Sequence, residues 1–252
     1  MRGADCFNSS HERIPQCLRS DIEVIDLSWN RIRKIVEDDL KRYKSLKILY
    51  LDENMIMNVD ENAFTSMTSL EILDMSWNSY NQNTNILEDI ERLKPITSPL
   101  QYLELAFDDL NELPDLGVLP TLFYFNITGN ANVKFNSSKF AGICNLKALN
   151  NNDTTASFDD PCECWSLEKW LEGRGVEFQS FSCKAKIDSC NRPIAQTDIQ
   201  IYEDCIKNYE ELVMKARMLT IVLPICVLVI VISYLFCITY TLNQKKKCSC
   251  TM

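Results

Sequence analysis

Twelve cysteines carry most of the chemistry legible in this chain. Cys6, Cys17, Cys144, Cys162, Cys164, Cys183, Cys190 and Cys205 precede a long uncharged stretch, Cys226 and Cys237 lie in it, and Cys248 and Cys250 follow a lysine run. Thiols so placed can form disulfides, hold a metal or accept a lipid. Cys162 and Cys164 are separated by a single residue, which is poor spacing for a tetrahedral zinc site, so with Cys183 and Cys190 they point to disulfide chemistry. Four cysteines allow three connectivities, and spacing alone does not choose among them. Cys205 has two options of its own: to pair with Cys144, or to cross-link two copies of the chain. Cys248 and Cys250, just behind Lys245 to Lys247, are candidates for palmitoylation.

Catalysis finds little to work with. The chain has one histidine, His11, so no His-based triad or His metal cluster can be assembled. Carboxylates number 35, too many for any pair to stand out, and six glycines form no phosphate-cradling loop. No enzyme activity, cofactor or metal is expected. Residues 215–252 hold five Lys or Arg and no Asp or Glu, so the preceding part carries more than the whole net charge of −9. An acidic surface of this kind argues against nucleic acid, which is held by clustered Lys and Arg.

The elements that must position these groups repeat. Asp21-Ile-Glu-Val-Ile-Asp-Leu-Ser-Trp-Asn30, Ser45-Leu-Lys-Ile-Leu-Tyr-Leu-Asp-Glu-Asn54 and Ser69-Leu-Glu-Ile-Leu-Asp-Met-Ser-Trp-Asn78 share one template, L-x-x-L-x-L-x-x-N-x-L. Further copies start at Leu100 and Leu122, with a degenerate sixth at Leu146, and the longer third unit has an insertion near Tyr80 to Asn85. Each unit supplies a short strand whose alternate apolar residues point one way, and one unit alone cannot bury that face. An apolar residue returns nineteen places into the unit (Leu40, Phe64, Phe140) to line the far side of the core. The ninth-position Asn (Asn30, Asn54, Asn78, Asn130) has a donor and an acceptor for backbone groups at the bend between coils, whereas Asp108 keeps only the acceptor. Spacing and template resemble the leucine-rich repeat family over roughly residues 22–157.

That resemblance implies an α/β solenoid with a parallel sheet on its concave face, disulfide-capped and followed by one transmembrane helix. Asp160-Pro-Cys-Glu-Cys-Trp-Ser-Leu-Glu-Lys-Trp-Leu171, followed by Cys183 and Cys190, is similar to the C-terminal cysteine-rich cap of extracellular members. In that family the pairs would be Cys162 with Cys183 and Cys164 with Cys190. Cys6 and Cys17 resemble half of the four-cysteine N-terminal cap, and are expected to be bridged. The chain then divides into a partial N-terminal cap (1–21), repeats (22–157), C-terminal cap (158–192), helical stalk (193–214), transmembrane helix (215–243) and short basic tail (244–252).

The stalk places Ile199, Tyr202, Ile206, Tyr209 and Val213 at alternating spacings of three and four. Such a seam serves a helix lying on the cap or a short coiled coil, the latter giving a homodimer through the stalk and Cys205. From Met218 to Leu242 no residue is charged, which is enough to span a bilayer with some tilt, and Lys245 to Lys247 mark the cytoplasmic flank. Asn8, Asn126, Asn136 and Asn152 begin N-x-S/T triplets and all precede the span. The expectation is a plasma-membrane, single-pass type I glycoprotein with its repeats outside.

Register gives the outward-facing residues of the concave sheet. The third position holds Val24, Ile48, Ile72, Tyr102 and Tyr124, the fifth Asp26, Tyr50, Asp74, Glu104 and Asn126, and the eighth Trp29, Glu53, Trp77, Phe107 and Gly129. Aromatic anchors beside charge suit a protein interface. The predicted function is recognition of a protein ligand or co-receptor through this face, as a receptor, co-receptor or adhesion protein with no signalling domain of its own. The domain plan resembles small leucine-rich membrane proteins, Toll-type ectodomains included. It also resembles the leucine-rich auxiliary gamma subunits of large-conductance potassium channels, which implies a second role acting through the span and basic tail.

Overall fold

Every template copy puts a three-residue strand around its fourth position, and stacking these strands in register is what buries their inward side chains. In the computed structural model, which describes residues 1–60, 62–78, 99–183, 190 and 192–247, the repeat strands are β2 (Val24–Asp26), β4 (Ile48–Tyr50), β6 (Ile72–Asp74), β7 (Tyr102–Glu104), β8 (Tyr124–Asn126) and β10 (Ala148–Asn150). They form one parallel sheet, extended by β1 (Gly3–Asp5) on one edge and β12 (Glu177–Phe178) on the other. Pairing is in phase throughout: Ile25, Leu49, Leu73, Leu103, Phe125 and Leu149 are consecutive partners. All six are buried. Leu40, Phe64 and Phe140 close the core from the convex side, where short pairs β3–β5 (Lys34–Ile35, Asn58–Val59) and β9–β11 (Val133–Lys134, Ala156–Ser157) also run parallel. The insertion near Tyr80 to Asn85 lies outside the described residues.

The ninth-position ladder uses both ends of the amide. Asn54 accepts from Ile32 N–H at 3.0 Å while its Nδ2 donates to the carbonyls of Leu27 and Leu51. Asn30, Asn78 and Asn130 repeat the pattern, so each bend is tied to the coil before it. In the sixth unit Thr154 stands in, its hydroxyl donating to Ile127 O. Asp108 accepts from Asn78 N–H at 2.8 Å, and its nearly complete burial drives its carboxyl well above the usual range.

At the end of the solenoid, Asp160 caps the helix Pro161–Gly173 by accepting from Cys162 N–H, with Pro161 at the first helical position where a missing N–H costs nothing. This helix corrects the expected disulfides. The bridges are Cys162–Cys190 and Cys164–Cys183. Two residues turn a helix by about 200°, so Cys162 and Cys164 face opposite ways. Cys164 is buried in the core and takes Cys183, which packs on the same core, while Cys162 takes Cys190. Of the two options for Cys205 the structure takes the first: it is fully buried and bonded to Cys144, so the expected cross-link of a dimer through it is corrected. Cys6 and Cys17 are also corrected: both are free thiols. Cys6 is held as the sixth residue of a sheet unit, its N–H on Asp26 O and its carbonyl on Asn30, while Cys17 is exposed.

The chain divides into two units, Met1–Ile206 and Lys207–Met252. In the first, Tyr202 from the helix Gln196–Arg217 meets Trp170 of the cap helix edge-on, and the guanidinium of Arg174 lies 4.5 Å from the Tyr202 ring and 4.8 Å from Trp170. In the second, a π-helical turn, Met218–Val222, leads into the helix Leu223–Lys247. Pro224 brings no N–H, which is the kind of lost backbone bond that wide turns absorb. Among the described residues one helix, Gln196–Phe236, is long and apolar enough to cross a membrane. Leu228, Ile230 and Leu235 on it are more than half exposed. Cys248 and Cys250, the palmitoylation candidates, lie outside the described residues.

Candidate functional site: the concave sheet face

The three outward columns read from sequence are brought together. Val24, Ile48, Ile72, Tyr102 and Tyr124 are consecutive partners across five strands, as are Asp26, Tyr50, Asp74, Glu104 and Asn126. Tyr102 is backed by Tyr124 at 5.8 Å and by Phe123 at 5.9 Å between ring centroids. Phe123 was invisible in the template because it occupies the second, unconstrained position of its unit.

The fifth column has a structural task as well as an outward face. Asp5, Asp26, Asp74 and Asn126 each accept the N–H two residues ahead with a side-chain oxygen, an Asx turn that ends the strand. Burial raises the carboxyl pKa of Asp74, opposed by bonds from Ser76 and reinforced by Asp52. Burial likewise raises Glu104, opposed by a hydrogen bond from Asn126 Nδ2 at 2.5 Å and reinforced by Asp74. Ser28 Oγ lies 2.7 Å from Asp26 Oδ1 and 2.5 Å from Asp52 Oδ1, yet has one proton to give. Asp52, a seventh-position residue, was missed in the sequence because neighbouring units place Ser28 and Ser76 there.

The eighth column forms the rim, and its backbone is left-handed at every unit: φ is 58° at Trp29, 51° at Glu53, 60° at Trp77, 58° at Phe107, 72° at Gly129 and 53° at Asp153. That conformation sends each N–H to the next coil, Trp29 to Asp52 O, Glu53 to Ser76 O and Trp77 to Ala106 O. Glycine or asparagine suits such a position, and a bulky ring there is uncommon. At Gly129 a side chain would meet a further obstacle, since a Cβ on it would sit 2.2 Å from the Phe107 ring. Phe107 in turn stacks on Trp77 at 4.0 Å, and Trp29 meets Phe7 at 6.4 Å. Phe7 extends the aromatic set one strand beyond what the template shows, because Gly3–Asp5 lacks the repeat's leucines.

Of the sequons, Asn8 and Asn152 are exposed, Asn136 is half-buried and bonded to Ser138, and Asn126 stands in β8 on the concave face.

Comparison with known proteins meets the same geometry. A leucine rich repeat family model matches residues 20–79, the stretch in which Asn30, Asn54 and Asn78 form the ladder. The fold is a leucine-rich repeat solenoid. Toll-like receptor 2 type-2 of Gallus gallus is 28% identical over 175 residues, covering 67% of this chain and 21% of that protein. Leucine-rich repeat-containing protein 19 of Mus musculus is 37% identical over 68 residues, 26% of this chain and 19% of that one. This chain therefore spans about a fifth of the length of each of these two relatives. A chain of the octameric complex of Latrophilin 3, Unc5D and FLRT2 (LRR) superposes with a TM-score of 0.53 at 19% identity, over 75% of this chain and 58% of that chain, a likeness of fold. The repeat family explains the core and the ladder. The rim aromatics and the acids beside them, which the core and ladder do not use, define the candidate site.

Proposed function

We propose that this chain is a single-pass cell-surface protein that recognises another protein through the concave face of its leucine-rich repeats, as a receptor, co-receptor or adhesion protein. The observation that carries the reading is the rim: Trp29 and Trp77 remain about half exposed, at 53% and 49%, although each ring could be replaced by a small residue better suited to its left-handed backbone. Relatives named as Toll-like receptors support a receptor-type binding role. A fold alone assigns no partner, so the surface has to be tested directly.

A photo-crosslinking amino acid placed at Tyr102, on the concave face, is expected to trap a protein partner on cells expressing the full chain. The same group at the exposed convex residue Lys44 is expected to trap none. Equal trapping from both, or trapping only from Lys44, would remove the concave face from the reading. The second role, an auxiliary subunit, would act through the apolar side chains of the span and Lys245 to Lys247. Exchange of Met218–Leu242 for an unrelated span separates the two: crosslinking from Tyr102 that survives supports the ectodomain role, and its loss supports the channel-type role.

A further inference from the structure

We propose that the rim segment Trp29–Glu53–Trp77 seats a cationic side chain, arginine in preference to lysine, presented by the protein partner. This rests on the concave face being the binding surface. The two tryptophans are two strands apart, roughly 9–10 Å at the usual strand spacing, and Glu53 occupies the position between them. Each indole is supported on its outer side: Trp77 stacks on Phe107, which the missing Cβ of Gly129 allows to lie flat, and Trp29 leans toward Phe7. The space left open is the one over Glu53. A guanidinium centred there falls within about 6 Å of both rings, the range of cation–π attraction.

Charge selects the occupant. Glu53 is half-buried and makes no side-chain hydrogen bond or ion pair among the described residues. Among those residues no salt bridge reaches Asp26, Asp52, Asp74 or Glu104 either, while several cations of these coils pair with other acids, Lys34 with Asp60, Lys47 with Glu23 and Arg19 with Asp21. An anionic partner would be repelled by this row. A purely apolar one would strip water from carboxylates and offer nothing in exchange. A cation satisfies both rings and carboxylate at once, and the planar guanidinium stacks where a compact ammonium cannot.

The test uses the full-length protein in detergent micelles and a fluorescent nonapeptide of alternating glycine and arginine, beside the same peptide with neutral citrulline for arginine. Anisotropy is expected to show binding of the arginine peptide and markedly weaker binding of its citrulline twin. Glu53→Gln, and separately Trp29→Ala with Trp77→Ala, should weaken arginine-peptide binding about 3- to 30-fold, the span of cation–π and partly desolvated charge energies. Glu172→Gln, an exposed acid of the cap helix, should leave it unchanged. Circular dichroism checks that each variant is folded. Equal binding of the two peptides, wild-type behaviour of the Glu53 and tryptophan variants, or an equal loss with Glu172→Gln would overturn the seat. If the peptide fails while Tyr102 still crosslinks a protein on cells, the cation seat alone falls. If both fail, the reading of the concave face falls with it.

Discussion

Asp108 occupies the ladder position that four other units give to asparagine, and its burial makes it a pH-dependent element in an otherwise neutral row. A carboxyl whose pKa is higher folded than unfolded makes the native state bind more protons. Its destabilising charge is therefore absent below about its ordinary 3.8 and appears as pH rises through the folded-state value. Asp74 and Glu104 are shifted in the same direction and add to this slope. Asp108→Asn is expected to raise stability at neutral pH by about 1–3 kcal/mol, the cost range of an imperfectly satisfied buried polar group. Urea midpoints followed from pH 4 to 8 should flatten in the variant. A variant as pH-dependent as the wild type would mean that Asp108 is not the source. Gly129→Ala tests the rim at the same scale: the left-handed backbone and the Phe107 ring together should cost about 1–3 kcal/mol, and a stability unchanged in thermal melting would show that the ring yields freely.

At the scale of elements, the C-terminal end is a clamp of three parts. The cap helix contributes Trp170, the helix Gln196–Arg217 contributes Tyr202, and Arg174 lies against both rings while donating to the carbonyls of Phe140 and Ile143 in the fifth repeat. Burial lowers Arg174 to about 10, and Tyr202 opposes that shift, so the arginine still carries its charge near neutral pH. The Cys144–Cys205 bridge binds the same elements covalently. Arg174→Lys would keep the charge and lose the planar stacking and forked donors, and is expected to cost about 1–2 kcal/mol. Replacement of Cys144 and Cys205 together by serine should cost about 2–4 kcal/mol through the closed loop of intervening chain. Chemical denaturation of the oxidised protein measures both. If the double serine variant matched the wild type, the bridge would be incidental to the cap. Legibility differed by element here: the segment from Asp160 to Leu171 resembled the cysteine-rich cap, but nothing in the spacing of Cys162 and Cys164 tells which way each faces until the helix turns between them.

For the whole molecule, the expected topology puts Asn8, Asn136 and Asn152 on the surface of an ectodomain and Met218–Leu242 in lipid. Expressed in full on cells, the protein should lose apparent mass on N-glycosidase treatment and resist alkaline extraction from membranes. Absence of both effects would place the repeats in a reducing compartment and oppose the receptor reading. The sequence by itself determined the solenoid, because a strand's twofold alternation and a fixed repeat length leave one way to bury Ile25, Leu49, Leu73, Leu103 and Phe125 together. It also determined which columns face outward, since register follows from the same alternation. Three things were decided only in three dimensions. The leucine-poor segment Gly3–Asp5 joins the sheet because an exposed edge strand has backbone groups to pair, whatever its side chains. The cysteines choose partners by helix phase and by which side of the core each faces. The rim's left-handed backbone, which sets Trp29 and Trp77 on either side of Glu53, comes from each N–H reaching the next coil, a bond between units that no single unit can anticipate.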